Sequence, residues 1–294
     1  METYEILIVG AGAAGIAAAK AAESHGCRRI LLVDRAREMG GVLLQCAHHG
    51  FGPDLTGPEY AQYLCKGLPN SVRWLPETTV LSVSPEKTAQ LTGPKTGQLT
   101  VRFKKMILDS GCLEIPPGSL TIAGTRPEGV YTAGQVQAMM NLYQEIPEGP
   151  VVILGGGDMG LLMAGALAEA GQEVSAVVEQ RPRCGGTARN RKYLKIYQIP
   201  LLLNATITEI LGEKLLSGVT VRFLKTGEET VLPCRTLLIA AGLRPDRDLV
   251  RDLGAPDWMY LCGNCNRIHT AVEAVVLDGA HIGTEAAEAI RGAT

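Results

Sequence analysis

Tyr4-Glu5-Ile6-Leu7-Ile8-Val9-Gly10-Ala11-Gly12-Ala13-Ala14-Gly15 is an apolar run that stops in a glycine-spaced turn. An alanine-rich stretch follows to His25, then a second apolar run, Arg29-Ile30-Leu31-Leu32-Val33, ending on Asp34. This reads as strand, tight turn, helix and strand, with an acid at the tip of the second strand. Much later the pattern returns. Val151-Val152-Ile153-Leu154 leads into Gly155-Gly156-Gly157-Asp158-Met159-Gly160, a helical stretch Leu161 to Ala170, and a run from Glu173 to Val178 ending on Glu179. The spacing from first glycine to acid, Gly10 to Asp34 and Gly155 to Glu179, is the same in both copies.

A single G-x-G-x-x-G is weak evidence, but here the context is met twice. Gly10 serves the tight turn, Gly12 lets backbone approach a pyrophosphate, and Gly15 allows close helix–strand packing. The pyrophosphate then meets free N–H groups at a helix N-terminus, and Asp34 accepts from ribose hydroxyls. Two such units in one chain point to two dinucleotides exchanging electrons.

Composition narrows the field around these motifs. Glycine is over-represented, at 35 of 294 residues, without the period of three that collagen requires. Aromatics are only 4%, and Lys+Arg 28 against Asp+Glu 30 leaves a net charge of −2, so no basic field calls for nucleic acid or an anionic membrane. The window Ile6 to Ala19 is too short and too glycine-broken to span a bilayer, and Met1 to Glu5 carries acids where an export signal carries cations. The cysteines at 27, 46, 65, 112, 184, 234, 262 and 265 are scattered as reduced thiols would be. A cytoplasmic location is expected. Cys262-Gly263-Asn264-Cys265 is the one C-x-x-C; it has no second half-site, so no metal site is expected.

Between the units, Thr78–Val83, Ala89–Thr92, Gln98–Phe103 and Lys105–Asp109 read as short strands of an antiparallel excursion. Ala205–Leu211 and Gly218–Leu224 form a similar stretch after the second unit, and Cys234–Ala241 reads as a strand buried on both faces. Val272, Val275, Val276, Ile282, Ala286 and Ile290 mark a final helix.

These motifs resemble those of the two-dinucleotide-fold flavoproteins, the pyridine-nucleotide disulfide oxidoreductase superfamily. Gly40 to Gly52, Leu55 to Tyr60 and Ala123 to Gly134 are similar to a bacterial subgroup that accompanies anaerobic glycerol-3-phosphate dehydrogenase-like enzymes, and to alpha subunits of amino-acid and opine dehydrogenases. The resemblance implies an α/β fold of two Rossmann-like domains without a C-terminal interface domain. A discontinuous FAD domain would cover 1–122 and 243–294, with an inserted NAD(P) domain over 123–242. It implies FAD in the first fold, with Gly41 near the flavin, the Val80 backbone near adenine, and Met259 to Asn264 against pyrophosphate and ribitol. A nicotinamide nucleotide would occupy the second. The cofactor-binding candidates are Gly10, Gly12, Ala14, Gly15, Asp34, Arg35, Gly41, Val42, Gln45, Val80, Gly111, Gly155, Gly157, Asp158, Met159, Glu179, Gly242, Gly263, Asn264 and Ala271.

Departures from the resemblance are specific. After Gly40-Gly41 only Cys46 is present, and the positions five away are Gly41 and Phe51, so the C-x4-C disulfide is missing. Gly124 to Gln135 contains no cysteine, so the other established disulfide position is empty as well. Gly263-Asn264 stands where Gly-Asp is usual. Cys46 and His48 are the catalytic candidates; the competing reading is a packed thiol and a hydrogen-bonded loop imidazole. Glu179 favours NAD over NADP, while Arg181 and Arg183 pull the other way. The expected activity is hydride transfer between NAD(H) and flavin, with electrons passed to a partner dehydrogenase subunit or carrier. The alternatives are a stand-alone NADH oxidase or thiol/peroxide reductase using Cys46, and a non-catalytic flavin-binding assembly subunit.

Overall fold

The strand Glu2–Val9 sits between Ile30–Val33 and Gly97–Leu108, parallel to both. This arrangement belongs to a computed structural model that describes residues 1–292. The chain divides into two units, Met1–Leu113 with Arg244–Thr294, and Glu114–Leu243.

In the first unit the strand order is Val72–Leu75, Ile30–Val33, Glu2–Val9, Gly97–Leu108, Thr88–Gly93, Thr79–Ser84, with Met259–Leu261 also pairing to Gly97–Leu108. The central strands are apolar on both faces because both faces are covered: Ile30–Val33 is buried throughout. Gln98–Phe103 and Lys105–Asp109 are not separate strands. One strand, Gly97–Leu108, first alternates against Thr88–Gly93 and then enters the buried parallel centre, where Met106, Ile107 and Leu108 are fully buried. Asp109 lies just past its end.

On one face of this sheet the helix Ala13–Ser24 packs along the helix Val272–Arg291. Small residues set their approach. A Cβ on Gly279 would strike the Ala14 backbone, and one on Gly283 the Ala18 backbone.

The second unit holds a parallel sheet ordered Val130–Thr132, Thr236–Ile239, Val151–Leu154, Val174–Glu179, Leu201–Leu203. A second sheet of mainly antiparallel strands contains Ala205–Leu211, Gly218–Phe223 and Glu229–Pro233. The buried strand read as Cys234–Ala241 is shorter, Thr236–Ile239. Residues 114–122, placed by the sequence in the first domain, group with the second unit. Leu120 and Ile122 pack on its core, and the Glu114 carboxylate accepts the Gly134 N–H at 2.8 Å. Among the described residues no helix is long and apolar enough to cross a membrane.

Candidate functional site

In the first unit, Val9, Val33, Leu108 and Leu261 end their strands in register, so the segments after them meet at the carboxyl end of the sheet. Gly10 turns the chain there with φ +107°, donating its N–H to Val33 O at 2.8 Å. A Cβ on Gly10 would collide with the Asp109 carbonyl, and one on Gly15 with the Gly10 carbonyl. The Asp34 carboxylate closes the turn: Oδ2 accepts the Ala11 N–H at 2.7 Å and Oδ1 the Ala36 N–H at 2.8 Å. Gly40 donates to Ala11 O at 2.8 Å, and a Cβ on Gly41 would sit 3.2 Å from Gly12 Cα. The structure thus brings Gly10, Gly12, Gly15, Asp34 and Gly41 together.

The second unit repeats this construction. Gly155, φ +118°, donates to Val178 O at 2.8 Å, and a Cβ on Gly160 would collide with the Gly155 carbonyl. Glu179 Oε2 accepts the Gly156 N–H at 2.9 Å. Its Oε1 accepts the Arg181 N–H at 3.0 Å and Arg181 Nε at 3.1 Å. Burial alone would lift this carboxyl, but the hydrogen bonds from Arg181 and Gly156 outweigh burial and hold it below its ordinary value. Arg181 is therefore tied to the acid it was expected to oppose.

Gly12 and Gly157 test whether dinucleotides fit. Their φ values, −73° and −78°, are open to any residue, so backbone geometry does not demand glycine at either position. A Cβ on Gly157 would meet nothing within 4 Å, and one on Gly12 would be approached most closely by Asp109 Oδ2, at 2.9 Å. Packing does not demand glycine at Gly157 either. Each heads a 12-residue helix whose first N–H groups lack intrahelical acceptors. A pyrophosphate seated at Gly157 explains both the bare glycine and the open donors, whereas at Gly12 the Asp109 carboxyl also limits the side chain and holds the Gly15 N–H.

The remaining candidates fall in varied places. Ala14 is fully buried beneath Gly279, within the helix pair. Arg35 and Val42 are exposed. Gln45 ends the 3-10 turn Gly41–Gln45, and Cys46 follows with Sγ 3.3 Å from Val42 O. His48 lies with its ring 5.0 Å from that of Phe51. Val80 belongs to the strand Thr79–Ser84; it is Thr78, two positions earlier, whose N–H reaches Asp34 O at 2.9 Å. Gly111 and Gly242 have positive φ in the connecting segments. Asp158 Oδ1 accepts from Thr187 N, Thr187 Oγ1 and Asn190 Nδ2 at 2.6–2.8 Å, and Met159 packs into the core beside it. Gly263 donates to Asp278 Oδ2 at 2.6 Å; Asn264 Oδ1 accepts the His269 N–H at 2.9 Å; Ala271 caps the last helix. The Cys262–Asn264 segment does not run directly into that helix, because a 3-10 turn, Gly263–Cys265, intervenes. Cys262 and Cys265 are buried, and burial pushes the Cys265 thiol to about 11 and Cys262 well above its ordinary value.

Two groups escape a reading of the sequence. Asp109 reads as the tail of a strand, yet its carboxyl enters the first turn, Oδ2 accepting the Gly15 N–H at 2.7 Å. The His269 side chain is buried, its Nε2 making no hydrogen bond and lying 3.8 Å from Asp278 Oδ2. Aligning the chain's two copies against each other would have exposed Asp109, since the second copy has Ala240 there.

The model of the family described as pyridine nucleotide-disulphide oxidoreductase matches residues 4–259. The chain is 25% identical over 278 residues to an opine oxidase subunit from Agrobacterium tumefaciens (strain Ach5), spanning 85% of this chain but only 54% of that protein. It is 24% identical over 288 residues to thioredoxin reductase of Treponema pallidum (strain Nichols), covering 95% of this chain and 89% of that one. The solved thioredoxin reductase of T. acidophilum shares the fold, with a TM-score of 0.76 at 21% identity over 100% and 99% of the two chains.

Proposed function

The chain belongs to the pyridine nucleotide-disulphide oxidoreductase family and is an FAD-dependent NAD(P)H oxidoreductase, and from that premise we propose that it passes electrons from NADH through FAD to a partner protein. FAD occupies the first fold and NADH the second. When bound, FAD supplies a two-electron acceptor for the hydride of the reduced nicotinamide. The chain's own work is to bind and orient. N–H groups at Ala13 and Ala14 and at Gly157–Gly160 take the two pyrophosphates, Gly15 N–H being held by Asp109, and Asp34 and Glu179 take the ribose hydroxyls.

Glu179 supports NADH over NADPH. Its carboxylate repels a 2′-phosphate, and it holds the Arg181 guanidinium that such a phosphate would need. Anaerobic titration should show NADH bleaching the flavin faster than NADPH. In Glu179→Ala the freed Arg181 should shrink the ratio of the two rates about tenfold or more, equivalent to at least ~1.4 kcal/mol. An unchanged ratio would remove Glu179 from this role, and a flavin that neither nucleotide reduces would leave only a non-catalytic role in an assembly.

The buried C-x-x-C carries the partner reading. Cys262 and Cys265 are fully buried, out of reach of a disulfide substrate, and that burial raises both thiols, so they do not serve as an exchanging dithiol. The Agrobacterium relative is by name one component of an oxidase, which agrees with export of electrons to another chain, such as an amino-acid, opine or glycerol-3-phosphate dehydrogenase-like partner. Likeness to thioredoxin reductase favours a second reading, thiol or peroxide reduction through Cys46. Cys46→Ser decides between them. NADH-to-dye activity should stay within about twofold of wild type, with little disulfide reduction in either protein. Disulfide or peroxide turnover that vanishes in the variant would establish the second reading instead.

A further inference from the structure

Asp109 is where the chain's two dinucleotide turns differ. The N–H of Ala240 donates to Leu154 O at 2.8 Å, as that of Asp109 does to Val9 O at 2.7 Å. A Cβ built on Gly155 would lie 3.3 Å from the Ala240 Cβ, and one on Gly10 would lie 3.3 Å from the Asp109 Cβ. The backbones match, and one carboxyl group is added. That group is buried, at 8% exposure. Oδ2 bonds Gly15 N and lies 2.9 Å from the Cβ position of Gly12, while Oδ1 lies 3.0 Å from that of Gly263. An acid thus projects into the turn that a pyrophosphate must approach.

Its surroundings do not neutralise it. Asp34 faces it from the neighbouring strand tip, and Asp278 from the last helix. The segment between Leu261 and Ala271 contributes the Cys262 and Cys265 thiols and His269, whose unpartnered Nε2 is 3.8 Å from Asp278 Oδ2. Three cations of this unit are engaged elsewhere. Arg247 Nε donates to Cys265 O at 2.7 Å, Lys20 of the first helix to Leu64 O at 2.5 Å, and Lys105 to Asp257 O at 2.9 Å. Glu5, on the first strand, accepts the Arg28 N–H at 2.7 Å. Burial lifts the Asp109 carboxyl to about 8, with Asp34 and Asp278 adding to the rise against the opposing N–H groups of Gly15 and Gly12.

We propose that Asp109 makes FAD binding proton-linked: its neutral carboxyl admits the pyrophosphate, and its carboxylate repels it. This rests on FAD occupying the first fold. A pyrophosphate brings further negative charge into a site where Asp34 and Asp278 already stand, and a buried carboxylate beside it is poorly screened. The neutral acid instead offers an O–H to donate. Binding therefore takes up a proton wherever the free protein holds Asp109 ionised, and by linkage affinity falls as pH rises through that titration.

The test is the Kd of FAD for the apoprotein, read by flavin fluorescence between pH 6 and pH 9, with circular dichroism confirming the fold at each pH. Wild type should bind about tenfold more weakly at pH 9 than at pH 7. Asp109→Asn, which keeps an acceptor for Gly15 N, and Asp109→Ala, which copies the second fold, should both give flat profiles. Calorimetry at pH 8.5 in two buffers of different ionisation enthalpy should register most of one proton taken up by wild type and none by the variants. A flat wild-type profile, or an Asp109→Asn profile as steep as wild type, would overturn the proposal. If Gly12→Val loses FAD at every pH while wild type is flat, only the proton linkage fails. If Gly12→Val keeps FAD, the assignment of FAD to the first fold fails, and the proposal with it.

Discussion

Gly12→Val should purify colourless. The substitution leaves the backbone unstrained, since φ −73° suits valine, and the nearest neighbour of the new Cβ is the end of the Asp109 side chain. The branched methyl groups add bulk at the head of the helix Ala13–Ser24, where backbone and pyrophosphate must come within hydrogen-bond distance. Losing those charge-assisted bonds should weaken FAD binding by at least a hundredfold, about 3 kcal/mol. The 450 nm to 280 nm absorbance ratio reads the result directly, with circular dichroism showing that the chain still folds. A fully flavinated variant would mean that the first turn does not hold FAD.

The matching change in the second turn should separate colour from chemistry. A Cβ on Gly157 meets nothing within 4 Å, so Gly157→Val should cost the fold little and keep its FAD. What it removes is the close approach of a nucleotide to the head of the helix Asp158–Glu169. Flavin reduction by NADH should fall by a factor of about a thousand in kcat/KM, roughly 4 kcal/mol, while dithionite still bleaches the protein. Wild-type reduction rates in this variant would place the nicotinamide nucleotide elsewhere.

Much of the construction is legible in the sequence because the dinucleotide turn imposes local demands. Gly10 and Gly155 answer to positive φ, Gly15 and Gly160 to a carbonyl in van der Waals reach, and Asp34 and Glu179 to an N–H of the turn they close. Each demand falls on a residue type at a fixed offset, so it survives without an alignment. Features that depend on distant chain are not legible. Gly97–Leu108 reads as two strands because its first half alternates and its second is buried on both faces, and only the sheet order explains the change. Residues 114–122 carry no signal for the unit they join until Leu120 and Ile122 are seen against their core. Asp109 looks like a polar strand end, and its importance arises from Gly15, far away in sequence. The neighbourhoods of Cys46 and His48 likewise depend on how the segment from Gly40 to Gly57 folds back on itself, as when Gly57 donates to Cys46 O at 2.8 Å.

The seam between Ala13–Ser24 and Val272–Arg291 also sets an order of events on the ribosome. The first unit cannot close early, because its last helix and the strand Met259–Leu261 are translated after every residue of the second unit. The second unit is contiguous, from Glu114 to Leu243, and is free to fold while its neighbour's sheet still lacks a strand and a covering helix. Until Gly279 and Gly283 arrive, Ala14 and Ala18 stand uncovered beside the half-built first turn. On the proposed assignment, the nicotinamide pocket is complete by Leu243, whereas the flavin site also needs Met259–Leu261 and Val272–Arg291.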